Sequence, residues 1–281
     1  MDDLVFGCLV GVGVGASGNI ISTYADRGVL WLIDKFQNHN EIAKKKASDN
    51  ALEYLNILAE RVQKLEEKSS SSSLTLDRAL EEPDTSLLLQ KALITAASTS
   101  NPLKHVLLSD LIVKRLGSNS EDYSSLIAPK ACEIIGSLSS DHLKLLSLIT
   151  GIYNLSPQIS SEVRYKAEYD NIIMTYMNNV CCGIKDIKKI NNTSFGYLEG
   201  MSCLIINPIA SSNLSKIVSD KIPSDNFKFE LSKLHSYDWW PVFNQTWNTH
   251  MSHVRLSTIG LFIGALSNEK ITGYNVNLNL Q

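Results

Sequence analysis

Residues 101–117 read NPLKHVLLSDLIVKRLG and carry several signals of a single helix. Asn101 is a favourable N-cap residue, because its side chain can accept a hydrogen bond from a backbone N–H at the helix start. Pro102 suits the first helical position, and Gly117 suits the position at which a helix ends. Leucine, isoleucine and valine recur between them at helical spacing. We therefore predict one helix over this stretch.

The neighbouring segments repeat the pattern. DTSLLLQKALITAAS begins with Asp84 as an N-cap, and SSDHLKLLSLITGIYNL opens with Ser139 or Ser140 in that role. EDYSSLIAPKACEIIGSL contains Pro129, which predicts a kink within the helix. Short helices joined by tight loops are typical of an antiparallel bundle, so the predicted fold class is mainly α.

The second half of the chain is less regular. We predict that residues 161–192 continue as helix, whereas the apolar run in 193–213 fits either a helix or a strand. Near the C-terminus, a short strand over 254–256 is expected to lead into a helix over 257–271. Gly273 should end this helix, and YNVNLNL then alternates with the period of a strand. This end resembles part of a winged-helix unit.

Changes in composition predict the organisation of the chain. A serine run, SSSSS, follows a helical segment and is typical of a flexible linker. We predict five segments: a Gly-rich apolar arm, an amphipathic helix, a serine-rich linker, a helical bundle and a C-terminal α/β unit. Their boundaries are 1–40, 41–67, 68–83, 84–222 and 223–281.

The arm contains LVFGCLVGVGVGASGNII at residues 4–21. Its glycines match a dinucleotide-binding fingerprint, but the second strand of a βαβ unit is missing, because the residues that follow have a helical period. No cofactor is therefore expected. Gly7, Gly11 and Gly15 lie four residues apart and would form one face of a helix. Together with Trp31, they are predicted to pack copies of the chain against one another.

Residues 4–25 contain no charged side chain and are long enough to cross a bilayer as one helix. The first basic residues follow this segment, which favours a cytoplasmic body attached to the inner membrane through 4–25. The same residues also fit a helix buried in the core of a soluble oligomer. Both interpretations stay open.

The net charge of −3 argues against a broad nucleic-acid surface. The five cysteines are scattered without a C-x-x-C spacing, so neither a zinc site nor a disulfide framework is predicted. Cys132 lies in an apolar helical stretch and is expected to be buried and unreactive. His250 and His253, with Asp238, would give three metal ligands, but their spacing is not that of a zinc site, and we interpret them as surface or capping residues.

A cluster of aromatic residues, SYDWWPVFNQTWN, occupies residues 236–248. Trp239, Trp240 and Trp247 are candidates for a partner surface, since tryptophan is enriched in interfaces. Large aromatic side chains dominate protein cores as well, and core packing is the favoured interpretation. No catalytic residue and no metal ligand is predicted anywhere in the chain.

Three stretches carry a resemblance to a known family: LQKALITAASTSNPLKHVLLSDLIVKRL, APKACEIIGSLSSDHLKLLSLI and LSTIGLFIGALSNEKITG. They resemble the bacterial LPO–Vpar family, named only after locus tags, whose layout is similar to that of the abortive-infection alpha (Abi-alpha) proteins. The resemblance covers roughly 84–153 and 254–273, and more weakly 38–65. It implies a bacterial, mostly helical protein linked to phage defence. No enzymatic motif defines the family, so no catalytic residue is carried over.

Two functions follow as hypotheses. The first is a non-enzymatic, abortive-infection-type effector whose glycine-faced arm oligomerises and inserts in the membrane. Its expected partners are copies of itself, membrane lipid and a phage or host protein that acts as the trigger. The second is a soluble oligomeric sensing module that binds a protein partner or nucleic acid through the C-terminal unit.

Overall fold

A computed structural model describes residues 40–68, 82–119, 121–159, 163–188, 190–222, 224 and 226–273. These residues are mainly helical, with one small two-stranded sheet towards the C-terminal end, which confirms the predicted fold class. Several predictions fall outside the described residues. They concern the packing residues of the arm, the serine run and the YNVNLNL strand, namely Gly7, Gly11, Gly15, Trp31, 69–73 and 274–280.

Contacts divide the chain into two compact units between Ser137 and Leu138. The predicted bundle over 84–222 therefore contains helices of both units. The described part of the N-terminal unit consists of four helices: α1 (Glu41–Lys68), α2 (Pro83–Ala97), α3 (Pro102–Leu116) and α4 (Tyr123–Ser137).

The N-terminal unit is an antiparallel bundle in which α1 and α4 each pack on both α2 and α3. Arg115, in the last turn of α3, bonds to Asp84 in the first turn of α2. Lys104, at the start of α3, donates to the carbonyl of Gly136 near the end of α4 at 2.8 Å. Both contacts show that α3 runs opposite to α2 and α4.

Helix α1 has the amphipathic pattern predicted for residues 41–67. Its buried residues recur at spacings of three and four, which places them on the one face that packs against α2 and α3. The buried residues are Ala47, Ala51, Tyr54, Leu55, Leu58 and Val62.

Local capping signals locate most helix ends correctly. The side chain of Asn101 accepts from the backbone N–H of Leu103 at 3.0 Å, and Gly117 follows the last residue of α3. Pro129 lies inside α4, and the kink expected there stays a prediction. The prediction of Asp84 as an N-cap is wrong, because Pro83 already occupies the first helical position and Glu82 the cap, so Asp84 lies in the first turn.

The C-terminal unit begins with α5 (Ser140–Tyr153), which Ser139 caps by accepting from the N–H of His142 at 3.2 Å. The elements that follow are α6 (Lys166–Cys181), a 3₁₀ turn (Cys182–Asp186), α7 (Asn192–Gly200), β1 (Leu204–Ile206), α8 (Leu214–Ser219), a 3₁₀ turn (Leu231–Leu234), α9 (Trp240–Thr249), a 3₁₀ turn (Met251–His253), β2 (Val254–Leu256) and α10 (Thr258–Thr272).

The structure corrects one prediction here and resolves an ambiguity. The helix predicted over 161–192 extends only over α6, and the chain then tightens into the 3₁₀ turn after Cys181. The ambiguous run in 193–213 contains both α7 and β1. Because a short apolar run fits either state, pairing with a distant strand decides the outcome.

That pairing joins β1 and β2 antiparallel, with Ile205 opposite Arg255. The predicted strand over 254–256 is confirmed, and α10 follows it with Ser257 as N-cap. Gly273 ends α10 at φ +74°, a left-handed conformation that glycine adopts readily. The likeness to a winged-helix unit is not confirmed.

The centre of the C-terminal unit is the contact between α10 and α5. Residues 262–268 of α10 are buried without interruption, so this helix is covered on all sides. Among the described helices, none combines the length and the apolar character needed to cross a bilayer. The apolar segment 4–25 lies outside this finding.

Candidate partner-binding site

The tryptophan-rich segment 236–248 forms α9 and the turn before it. Trp239 is only 1% exposed, and its indole N–H donates to Oδ1 of Asn178 on α6 at 2.9 Å. Trp247 is also buried and stacks on Tyr153 of α5, with ring centroids 5.7 Å apart. These two tryptophans belong to the core of the C-terminal unit, where they hold α9 against α5 and α6.

A continuous row of rings connects them. Phe243 lies 5.7 Å from Trp239 and 6.2 Å from Trp247, measured between ring centroids. Trp240 is half-buried and lies 5.9 Å from Phe243. Of the three tryptophans predicted as a partner surface, only Trp240 is therefore partly accessible. The aromatic row fixes the position of α9 and so determines what the outer face of this helix presents.

The outer face of α9 forms one wall of a surface groove of about 570 Å³. The chain before α7 forms the other wall. Three aliphatic side chains line the groove: Ile187, Ile190 and Val242. The remaining lining is polar and uncharged at neutral pH: Asn192, Gln245, Thr246, Thr249 and His250.

The hydrogen-bonding groups of the groove are set by the helix beneath them. The hydroxyl of Thr246 donates to the carbonyl of Val242 at 2.8 Å, and that of Thr249 donates to Gln245 at 2.9 Å. Each hydroxyl oxygen keeps acceptor capacity on its outer side. Partial burial lowers the pKa of His250, so its ring is neutral at pH 7. The groove thus offers neutral donors and acceptors beside apolar surface.

This combination is suited to recognition of an uncharged protein segment. Aliphatic side chains give contact area, while amide and hydroxyl groups can satisfy the backbone of an extended segment. Among the described lining residues there is no carboxylate, lysine or cysteine. A charged occupant would therefore lose its hydration without gaining an opposite charge.

Sequence reasoning located α9 through its tryptophans but missed the residues of the groove. Asn192, Gln245 and Thr249 are ordinary surface residue types, and their positions in the chain carry no signal. The helical period of residues 240–249 separates the face of Phe243 from the face of Val242 and Gln245. This separation is the signal in the sequence that indicates which residues of α9 face outward.

The three residues weighed as metal ligands are engaged separately. The carboxylate of Asp238 pairs with Lys185 at 2.5 Å, a contact that lowers the pKa of Asp238. His253 lies 3.1 Å from the carbonyl oxygen of Ala210 through its Nδ1. His250 packs on Phe195, with ring centroids 4.8 Å apart. Within the described ranges, no three histidine, cysteine or acidic side chains form a cluster able to hold a metal.

The described cysteines have different surroundings. Cys132, Cys181 and Cys203 are buried, whereas Cys182 is exposed. Burial raises the pKa of the Cys132 and Cys203 thiols to about 11, so both remain protonated at neutral pH. Because the thiolate is the reactive form, the expectation of an unreactive Cys132 agrees with its position.

Comparison with known proteins places the chain in a family without assigning an activity. No curated protein and no solved structure matches the chain, and the similarity in layout to Abi-alpha proteins is not shown. A protein-family model whose description reads only ":-like" matches residues 21–236, which agrees with an uncharacterised family named after a locus tag. Since the match covers more than half of the 281 residues, the chain belongs to that family.

Proposed function

We propose that this protein is a non-enzymatic bacterial defence protein of the abortive-infection type, which acts by docking a protein segment in the groove beside α9. The observation that carries the proposal is the groove itself. It presents Val242 and Gln245 on a helix that the buried tryptophans hold in place, so the surface is preorganised for binding.

The association with defence rests on the resemblance of three stretches of the sequence to the LPO–Vpar family and on the layout that this family is expected to share with Abi-alpha proteins. In such a protein, residues 40–273 recognise a phage or host protein, and the arm over 1–40 carries out the response. The spacing of Gly7, Gly11 and Gly15 supports an arm that packs against other copies of itself, in a membrane or in a soluble core.

Phage protection by groove variants tests the docking function. Bacteria expressing wild-type protein, Val242→Arg or Gln245→Arg would be challenged with phage, and plaques counted. Each arginine places a charge in the neutral groove and should reduce protection roughly tenfold or more. Asn248→Arg is the matched control, because Asn248 is exposed on the same helix but does not line the groove. Equal protection by all four proteins would contradict the proposal.

Liposome flotation tests the arm separately. The full chain and a chain lacking residues 1–25 would be mixed with vesicles of anionic bacterial lipid. Flotation of the full chain alone would support a membrane arm, and Gly11→Leu should then abolish toxicity by blocking close helix packing. If neither protein floats and the truncation converts an oligomer to a monomer, the arm is an assembly core and the membrane part of the proposal fails.

A further inference from the structure

The loop that follows β1 presents the most exposed large apolar side chain of the described residues. Ile209 is 95% exposed, in the stretch NPIASSN at 207–213. The backbone N–H groups of Ile209 and Ala210 both donate to Oδ1 of Asn207, at 3.1 and 3.3 Å. Pro208 restricts the backbone between Asn207 and Ile209. These bonds and Pro208 restrict the loop, which lowers the entropy that it would lose on binding.

Backbone contacts attach this loop to the chain directly after α9. Asn207 N–H donates to the carbonyl of His253 at 2.8 Å, and Ser212 N–H donates to that of Ser252 at 2.7 Å. His250, at the end of α9, lines the groove. Only two residues separate His250 from His253, so the protruding loop and the groove are neighbours on the surface of one unit.

The two features are complementary in chemistry. The loop NPIASSN has no charged residue, and neither have the described residues that line the groove. Ile209 offers an aliphatic side chain to a surface that contains Ile187, Ile190 and Val242. The amide and hydroxyl groups of the groove can bond to the exposed hydroxyl of Ser211 and to the side-chain N–H groups of Asn207, whose oxygen is engaged within the loop.

We propose that this surface is a homodimer interface, in which the Ile209 loop of each copy occupies the groove of the other. The inference rests on the proposed docking role of the groove and names its occupant as a second copy of this chain. Because loop and groove are adjacent, each copy can give and receive the same contact. Such a reciprocal arrangement closes as a two-fold dimer rather than growing into a filament.

Cysteine crosslinking between two differently tagged chains tests this arrangement. Both full-length chains carry Cys8→Ser and Cys182→Ser, so that the accessible thiol Cys182 and the arm thiol do not react. One chain carries Ile209→Cys and the other Val242→Cys, and a short bismaleimide joins thiols that lie close together. The expected product is a crosslinked pair containing both tags, with the 209–242 linkage identified by mass spectrometry.

A matched pair serves as control. Ile42 is also an exposed isoleucine, 70% exposed on α1, and Ile42→Cys mixed with Val242→Cys should give little product. In sedimentation experiments on chains that carry Gly11→Leu, which blocks packing of the arm, Ile209→Ser should raise the dimer dissociation constant roughly a hundredfold, since each dimer contains the contact twice. Ile42→Ser should leave that constant unchanged.

The outcomes separate this inference from the proposed function. Absence of the 209–242 product above the control, or assembly unaffected by Ile209→Ser, overturns the homodimer. If Val242→Arg nevertheless abolishes phage protection, the groove binds another protein and the proposed function stands. If the 209–242 product forms but Val242→Arg leaves protection intact, the homodimer stands and the proposed function fails.

Discussion

The two units join their helices in different ways. In the N-terminal unit, α2 and α3 are connected at their ends by long charged side chains. In the C-terminal unit, α5 and α10 approach so closely that glycine occupies one side of the contact.

Arg115 shows the first way. It is 2% exposed, and its guanidinium donates to both carboxylate oxygens of Asp84 and to Glu82, at 2.8 to 3.1 Å. The hydrogen bond from Arg115 is the main cause of a lowered pKa at Asp84. The carboxylates of Asp84 and Glu82 are partly exposed and therefore stay partly hydrated, while their charges neutralise the buried guanidinium of Arg115.

Gly264 shows the second way. A Cβ atom at this position of α10 would lie 2.0 Å from Oγ1 of Thr150 and 2.8 Å from the carbonyl oxygen of Leu146 on α5. A Cβ at Gly260 would lie 1.8 Å from the carbonyl oxygen of Cys203. A flexible ion pair can adjust to a small displacement, whereas a backbone-to-backbone contact cannot. We therefore expect the C-terminal unit to tolerate less change.

Gly264→Val should have the largest effect and would test this expectation directly. The valine side chain has no room against α5, so we expect a loss of about 3 kcal/mol or more in the free energy of unfolding. Urea unfolding followed by tryptophan fluorescence measures it, since three of the four tryptophans lie in the C-terminal unit. Gly196→Val is the control, because nothing lies within 4 Å of a Cβ there. Equal losses in both variants would show that the close approach at Gly264 does not limit what the C-terminal unit tolerates.

Lys221→Met examines the interior of the same unit. Lys221 is 5% exposed, and its ammonium donates to the carbonyls of Gly151 and Leu155 at the C-terminal end of α5. Burial lowers the pKa of Lys221 to about 8, from 10.5. Between these values the folded chain has lost a proton that the unfolded chain keeps, so stability rises with pH.

The expected size of this rise follows from the shift. Relative to Lys221→Met, the wild type should gain about 3 kcal/mol between pH 8 and pH 10.5. Urea midpoints of the two proteins would be compared at several pH values. Titration of tyrosines and cysteines affects both proteins equally and therefore cancels in the difference. A constant difference across this range would show that the ammonium is not held in a desolvated site.

Arg115→Lys is the corresponding change in the N-terminal unit. A lysine cannot donate to both oxygens of Asp84 and to Glu82 together, so we expect a loss of about 1–2 kcal/mol. Hydrogen exchange of peptides from α2 and α3 would report it. The loss should diminish in acid, because a carboxyl with a lowered pKa gives up its stabilising contribution as pH falls through the folded value. Lys130→Arg, in an exposed ion pair, is the control and should change nothing measurable.

Gly196→Ala should have the smallest effect, with the opposite sign. Gly196 lies in the middle of α7, is exposed and has open space around it. Alanine should stabilise the helix by about 0.5–1 kcal/mol, because glycine loses more backbone entropy on folding. A destabilised Gly196→Ala protein in urea unfolding would indicate a tight contact of α7 that the structure does not contain.

Local signals predicted the helices well because their causes lie within a few residues. Asn101 and Ser139 cap through bonds that span two or three residues, and Gly273 ends α10 through its own backbone conformation. The strand β1 could not be assigned in this way, since its pairing partner β2 lies about fifty residues further along the chain.

The candidate site was predicted only in part. The tryptophan cluster was found, but the burial of Trp239 and Trp247 depends on their packing against α6 and α5. The four-residue spacing of Gly260 and Gly264 is the same signal that was recognised in the arm at Gly7, Gly11 and Gly15. In α10 it marks close packing against neighbouring elements of the same chain.

The sequence by itself determined the helical class, most helix ends and the short strand before α10, because capping and helical periodicity act between near neighbours in the chain. Only the tertiary structure decided the division after Ser137, the neutral groove beside α9, the attachment of the Ile209 loop to the chain after α9 and the buried ammonium of Lys221. Each of these requires residues distant in sequence to come together, and long-range packing leaves no periodic trace in the chain.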